Sequence, residues 1–383
     1  MRESVVHEHH GGRISSAATL CLLGDIMTGR GIDQALHHPG DPRLYESYVT
    51  DAREYVHLAE NRNGSIPQPV DPAYIWGDAL QELDLFAPDV AVANLETSVT
   101  DSRTPWQGKG IHYKMHPRNV DCLTAAGLDC YVLANNHVMD WGRSGLEETL
   151  DTLSRAGLAG AGAGRDGEGA TRPAAVPVGE HARVLVFGFG FEDSGIPSEW
   201  AAGPQTAGVW LLDGFSSASV TQVTRHIHAH RRAGDIVVAS VHWGGNWGYN
   251  IPAEHRRFAH ELIDKAGVDL VHGHSSHHVR PIEIHHGRLI LYGCGDFLND
   301  YEGIVGYERF RDDLALMYFV SLALPSGEML QLRMRPMQRR KFRSNRAGEQ
   351  DARWLADTLN RESGFLDAAV ELDDDNTLYL LPV

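Results

Sequence analysis

Five times along this chain an apolar run breaks off at residues able to ligate a metal or carry a proton. The run 19–23 ends at Gly24-Asp25, 90–93 at Asn94-Leu95-Glu96, and 130–134 at Asn135-Asn136-His137. The run 235–241 ends at His242, and 268–271 leads into His272-Gly273-His274-Ser275-Ser276-His277-His278. Short continuous apolar runs suit strands buried on both faces. Helical patterns fall between them at 76–86, 119–126, 145–156, 215–233 and 254–266, with Gly127 and Gly157 closing two of these. The alternation predicts an α/β fold with a parallel or mixed sheet and helices on its faces. Such sheets collect their sites at the carboxyl ends of strands.

The rest of the chain fits around that frame. Segment 33–72 is polar and reads as a long excursion from the core. A further strand is expected at 183–187, followed by a loop, 189–206, whose Gly, Pro and aromatic residues suit a substrate cover. An apolar strand over 288–292 delivers Gly293-Cys294-Gly295-Asp296, a hairpin joins 314–324 to 329–334, and 353–362 reads as the last helix. Gly160-Ala161-Gly162-Ala163-Gly164 follows a helix rather than a strand, so it fails the context test for a dinucleotide loop. His226, His228 and His230 do not share one helix face and read as surface, as does the basic stretch 335–346, for which binding of a substrate carboxylate is the alternative. Residues 1–15 read as a disordered tail and 16–383 as a single catalytic domain.

The formal net charge of −17 argues against nucleic-acid binding. The apolar run 17–23 is too short to cross a membrane and lacks the features of an export signal. The four cysteines form no CxxC pair, so disulfides are not implied. A cytoplasmic enzyme without membrane or nucleic-acid partners is expected.

Asp25, Glu96, Asn136, His242 and His274 are the candidate metal ligands. Carboxylates, amides and imidazoles gathered in an interior are costly unless something satisfies them together, and a divalent cation does so. This mixture suits calcium, manganese, zinc or iron rather than a thiolate-seeking ion.

Six ordered motifs carry a resemblance. Gly24-Asp25-Ile26-Met27, Ala93-Asn94-Leu95-Glu96-Thr97, Asn135-Asn136-His137 with Asp140, Val241-His242-Trp243-Gly244, Gly273-His274-Ser275-Ser276-His277, and Tyr292-Gly293-Cys294-Gly295-Asp296-Phe297 resemble the motif set of CapA-type proteins, named for poly-γ-glutamate capsule synthesis. The resemblance implies a calcineurin-like four-layer α-β-β-α sandwich with mixed sheets. Two departures matter: Met27 stands where calcineurin-like phosphatases have a His, and Asn94-Leu95-Glu96 replaces their second acidic motif. A two-metal clamp for phosphoryl transfer is therefore not expected. An intracellular branch similar to this chain implies epimerisation of the C-terminal residue of a ribosomally made lasso-peptide precursor.

Inversion at Cα calls for a base on one side and a conjugate acid on the other. A histidine oriented by an aspartate serves either role. The candidate catalytic pairs are His137 with Asp140, and His274 or His277 with Asp296. Trp243, Trp247, Phe297 and Tyr301 are candidates for an apolar pocket around a bulky side chain, with core packing as the alternative. The competing functions are hydrolysis of a phosphoester or γ-glutamyl polymer, and a capsule-assembly role without catalysis.

Overall fold

The computed structural model describes residues 17–366 and 368–381. The expected N-terminal tail, 1–15, lies outside them. Two large sheets face each other. In the first, strands run in the order Val370–Leu372, Leu378–Leu380, Met329–Arg339, Leu314–Ala323, Ala17–Ile26, Val90–Leu95, Cys130–Val132 and Ala159–Ala161, with Asp296–Leu298 and Ser344–Arg346 pairing off that path. The second runs Ile282–His285, Arg288–Leu291, Leu270–His274, Ile236–His242, Ala182–Gly190 and Ala174–Val178. The first is antiparallel from Val370–Leu372 to Ala17–Ile26 and parallel from there to Ala159–Ala161, and the second has a parallel centre with antiparallel margins, so both sheets are mixed.

The period-2 geometry of strands explains why the central runs are continuously apolar. Leu20 and Leu22 enter the core between the sheets, where they meet Val90, Val92, Val186 and Val238. Their neighbours Cys21 and Leu23 face an outer core shared with helix residues Val56, Ala59, Ala79 and Leu146. On the second sheet Val237, Ala239 and Val241 face the helices Ser217–His230 and Ala253–Ala266 through Val223, Ile227, Phe258 and Leu262. The result is the expected four-layer α-β-β-α sandwich.

Two local expectations need correction, and one stretch that the sequence left unassigned takes strand form. Segment 33–72 is not wholly an excursion: it contains the helix Arg53–Asn63, which buries Tyr55, Val56 and Ala59. Its apolar face is so diluted by charge that periodicity could not show it. The glycine-rich stretch at 160–164 supplies residues to two short strands, Ala159–Ala161 and Ala163–Gly164. Within the basic stretch, Arg335 and Arg339 are buried rather than solvated, and Arg335 lies 3.0 Å from each of Glu82 and Asp375.

Candidate active site

Strand register gathers the ligand-type residues. Asp25 is the register partner of Asn94 on one side and of Asp296 on the other, while His242 pairs with His274 across adjacent parallel strands. All five residues are buried. Close backbone contact fixes this arrangement: a Cβ on Gly24 would stand 1.7 Å from the Gly295 carbonyl oxygen.

At the centre, His242 Nδ1 lies 2.8 Å from His274 Nδ1, and His274 Nδ1 lies 4.0 Å from Asp25 Oδ1. The Ser240 hydroxyl, 3.0 Å from His274 Nε2, leaves Nδ1 as the nitrogen turned towards the cluster. Asp25, His242 and His274 thus offer three buried donors that could hold one metal ion. Glu96 stands 3.9 Å from His242 Nδ1, and the Asn136 side-chain oxygen contacts the opposite nitrogen, His242 Nε2, at 3.2 Å. Those two residues flank the three-donor core.

The electrostatics fit a cation. Burial, and then the charge of Asp296, pushes Asp25 up to about 7. Burial and the charges of Asp25 and Asp296 drive Glu96 well above the carboxylate range. Asn94 donates to both, at 2.8 Å to Asp25 and 2.9 Å to Glu96, but contributes no charge. A divalent ion among these groups would offset a cost that neutral amides cannot. The opposed imidazole nitrogens fit the same reading, since burial holds both His242 and His274 well below the usual imidazole range.

Two histidine–aspartate dyads flank this core. His137 Nδ1 lies 2.7 Å from Asp140 Oδ2, and His277 Nδ1 lies 2.9 Å from Asp296 Oδ1. The partner of Asp296 is therefore His277, whereas the alternative, His274, is turned into the donor cluster. Burial and the nearby Lys109 ammonium bring His137 down to about 4 despite Asp140. His277 moves the other way: burial pulls it down, but the Asp296 carboxylate outweighs burial and leaves it above the ordinary value. Asp140 also accepts from Lys109 Nζ at 2.6 Å and from the Tyr113 backbone N–H at 2.7 Å. Asp296 accepts from Asn299 at 2.7 Å, and the Arg339 guanidinium donates to the Asp296 carbonyl oxygen.

Of the four aromatic residues expected around a pocket, Trp243 and Phe297 are core. Trp243 stacks on His255 and Tyr292, and Phe297 packs beside Trp76. Trp247 and Tyr301 are half-buried beside His277, with ring centroids 5.3 and 5.2 Å from it. The loop 189–206 buries Ile196 and Trp200, and the Trp200 ring lies 4.9 Å from Lys109 Nζ, so it forms a packed wall.

Sequence reasoning did not single out Lys109, Tyr113, Asn299 or Arg339 for this site. Lys109 had one faint signal, its place between Gly108 and Gly110. Asn94 and Asn135 could have been found, because they lie two residues before Glu96 and next to Asn136, both already singled out. Asn135 donates to Asn94 at 3.0 Å and braces the cluster from below.

Comparison with known proteins gives the family. The family described as bacterial capsule synthesis protein PGA_cap matches residues 19–301, which include all three donors of the candidate metal site and both dyads. A probable polyglutamine synthesis accessory protein of Mycobacterium tuberculosis is 46% identical over 365 residues, covering 95% of this chain and 96% of that protein. The PGA biosynthesis protein CapA of Bacillus subtilis is 28% identical, over 78% of this chain and 66% of its own length. The capsule biosynthesis protein CapA of Bacillus anthracis is 22% identical over 80% of this chain and 64% of its own length. With its motifs at the strand ends of one sandwich and its match running through both dyads, this chain belongs to the bacterial capsule synthesis protein family, the CapA type.

Proposed function

We propose that this protein is a metal-dependent acid–base enzyme that inverts the Cα of a residue at the carboxyl end of a peptide. The observation that carries the reading is the pair of dyads, His137–Asp140 and His277–Asp296, set about one buried three-donor cluster. Both histidines lie close enough to His242, one of the three donors, for their charge to lower it further after burial. Each aspartate occupies Nδ1 of its histidine and leaves Nε2 to carry the proton. In one direction His137 accepts the Cα proton and His277 returns one to the opposite face; in the other the roles exchange. Lys109 and the wall containing Trp200 hold the carboxylate end and exclude water.

When bound at Asp25, His242 and His274, a divalent cation supplies positive charge against the negative charge that builds beside Cα. Calcium, manganese, zinc and iron all remain compatible with these oxygen and nitrogen donors. Met27, buried beside Tyr301, offers no hard donor for a second metal, which weighs against phosphoester hydrolysis.

The substrate is a peptide chain. The relatives are named for polyglutamine synthesis and PGA biosynthesis, which favours a polymer substrate, and a ribosomally made lasso-peptide precursor presents a comparable chain end. We place the protein in the cytoplasm. The four buried free cysteines support that placement, and no helix among the described residues is long and apolar enough to cross a membrane.

One observation favours a second reading. Glu96, 3.9 Å from His242, is positioned to take a proton from an attacking water, as hydrolysis of a γ-glutamyl bond would require. Incubation of the metal-loaded protein in deuterium oxide with oligoglutamate and with a peptide substrate separates the two. Epimerisation places one deuterium at one Cα with no bond broken, whereas hydrolysis releases glutamate. If neither occurs, and His137→Asn with His277→Asn leaves capsule-type polymer synthesis intact in cells, a non-catalytic assembly role replaces both.

A further inference from the structure

The described residues hold a second convergence of metal donors, on the outer edge of the second sheet. Its marginal strand, Ile282–His285, is joined to Arg288–Leu291 by His286-Gly287. Leu289 pairs with Leu270, so this turn sits beside the start of the strand Leu270–His274, whereas His274 stands at its far end, roughly 13 Å along the strand. The two groups of donors are therefore separate.

His285 Nε2 and His286 Nδ1 each lie 3.0 Å from one oxygen, Asp264 Oδ1, at the end of the helix Ala253–Ala266. The three atoms all fall within 4.8 Å of one another. Ligands about 2.0–2.1 Å from a tetrahedral zinc ion stand about 3.3 Å apart, so small side-chain rotations would admit one. Among the described residues Asp264 makes no ion pair with a lysine or arginine, and Arg288, opposite His285, is held by Asp269 at 3.0 Å. No fixed positive side chain takes the place of a cation. The His286 side chain is 74% exposed and that of Asp264 39%, which opens the donors to an ion from solvent.

The donors are held in position. His260, one helical turn before Asp264, stacks on the His285 ring with centroids 3.8 Å apart and planes 3° apart. His260 Nε2 in turn meets Glu283 at 2.9 Å, and the Tyr292 hydroxyl donates to the same carboxylate at 2.6 Å. The Met329 N–H donates to the Gly287 carbonyl at 3.0 Å and pins the turn from the other side. His286 and Gly287 have φ of 50° and 73°. A two-residue hairpin turn with both φ positive favours Asn-Gly, Asp-Gly or Gly-Gly, so an imidazole stands where the backbone alone would favour asparagine.

We infer that Asp264, His285 and His286 form a second metal site, for an exchangeable divalent cation of the zinc, nickel or copper class, with water completing its coordination. Two imidazoles and one carboxylate suit those ions, whereas calcium and magnesium prefer oxygen donors throughout. Hydrogen bonds alone give so exposed a cluster little, because water offers Asp264 the same bonds. An ion held there clamps the marginal hairpin of the second sheet to the helix that covers it.

Isothermal titration calorimetry with zinc chloride tests this on the full chain as purified. Every sample carries His7→Ala, His9→Ala and His10→Ala, so that the histidines near the start of the sequence do not compete. The expected result is a saturable zinc equivalent that magnesium and calcium do not displace. His286→Asn and Asp264→Asn should each weaken it at least tenfold, whereas Asp25→Asn, at the buried donors, should leave it in place. Copper(II) electron paramagnetic resonance should show nitrogen splitting from two imidazoles in the parent chain and from one in His286→Asn. Because asparagine suits the turn, His286→Asn should melt no lower than the parent without zinc, while zinc should raise the melting temperature of the parent more than that of either variant. Zinc affinity unchanged in both folded variants, no zinc equivalent other than one lost with Asp25→Asn, or binding that calcium displaces would overturn the site.

Discussion

The Tyr113 hydroxyl donates to the Tyr301 hydroxyl at 2.9 Å, and this bond joins the surroundings of the two dyads. The Tyr113 ring meets His137 edge-on with centroids 4.5 Å apart, and the Tyr301 ring meets His277 at 5.2 Å. Beneath them the buried Arg30 guanidinium lies 4.3 Å from the Tyr113 ring and is paired with Glu46 at 2.9 Å and Asp300 at 2.5 Å. Two histidines from distant parts of the chain therefore rest against one rigid aromatic wall. Tyr301→Phe should keep the fold and the metal but loosen His277, so that exchange on the His277 side slows more than on the His137 side. Equal slowing from the two stereoisomeric substrates would argue against such a link.

The Asp25, His242 and His274 donors predict stoichiometry. Wild-type protein should hold about one tightly bound divalent ion per chain, and His274→Ala or Asp25→Asn should lower that content severalfold by elemental analysis. Chelation should lower the melting temperature as well, because a ligand at a hundredfold excess over its Kd stabilises the native state by about 2.7 kcal/mol. An unchanged metal content in both variants would place the ion elsewhere.

The dyads predict an asymmetry that a structural role would not produce. His137→Asn and His277→Asn should each reduce inversion by roughly 100- to 10,000-fold. Each should retain Cα exchange from one stereoisomer, since the remaining histidine still faces one side. Loss of exchange from both stereoisomers in both variants, with metal content intact, would show that the histidines do not act as opposed bases.

Stability should respond to pH from both sides. His137, at about 4, lies below its unfolded value of about 6.5, so the unfolded chain takes up the proton first on acidification. Stability is then lost as pH falls from about 6.5 towards 4, by roughly 3 kcal/mol from this group. His272, also about 4, and His278, about 3, steepen the same limb, so His137→Asn reduces it without abolishing it. His277 has the opposite sign: its native value is raised, so its contribution is present below its unfolded value and fades as pH rises through the native one. Urea titrations of wild type and both variants from pH 4 to pH 8 measure the two limbs, and parallel curves for His277→Asn and wild type on the alkaline side would count against its raised value.

Gly24 tests the backbone that sets the register. A methyl group there would meet the Gly295 carbonyl oxygen at 1.7 Å, with no flexible side chain to yield. Gly24→Ala should cost at least the roughly 1–3 kcal/mol typical of overpacking and weaken metal binding, because it parts the strands that carry Asp25 and Asp296. Thermal denaturation checks the first effect and metal titration the second.

The sequence by itself determined the layers and the strand ends. Short, β-branched apolar runs such as 235–241 suit strands covered on both faces, and residues like Asp25, Glu96 and His242 at their ends follow from the local pattern. Tertiary structure alone decided which partners meet. His277 rather than His274 reached Asp296, because the left-handed Ser275, with φ of 97°, turns the chain after His274. Arg335 and Arg339 became interior groups because Glu82, Asp375 and Asp296, remote in sequence, meet them there. Periodicity reports which face a residue occupies, an average over nearest neighbours along the chain. A hydrogen bond or an ion pair depends on placement to within an ångström of an atom that folding brings from elsewhere, and no local pattern encodes that.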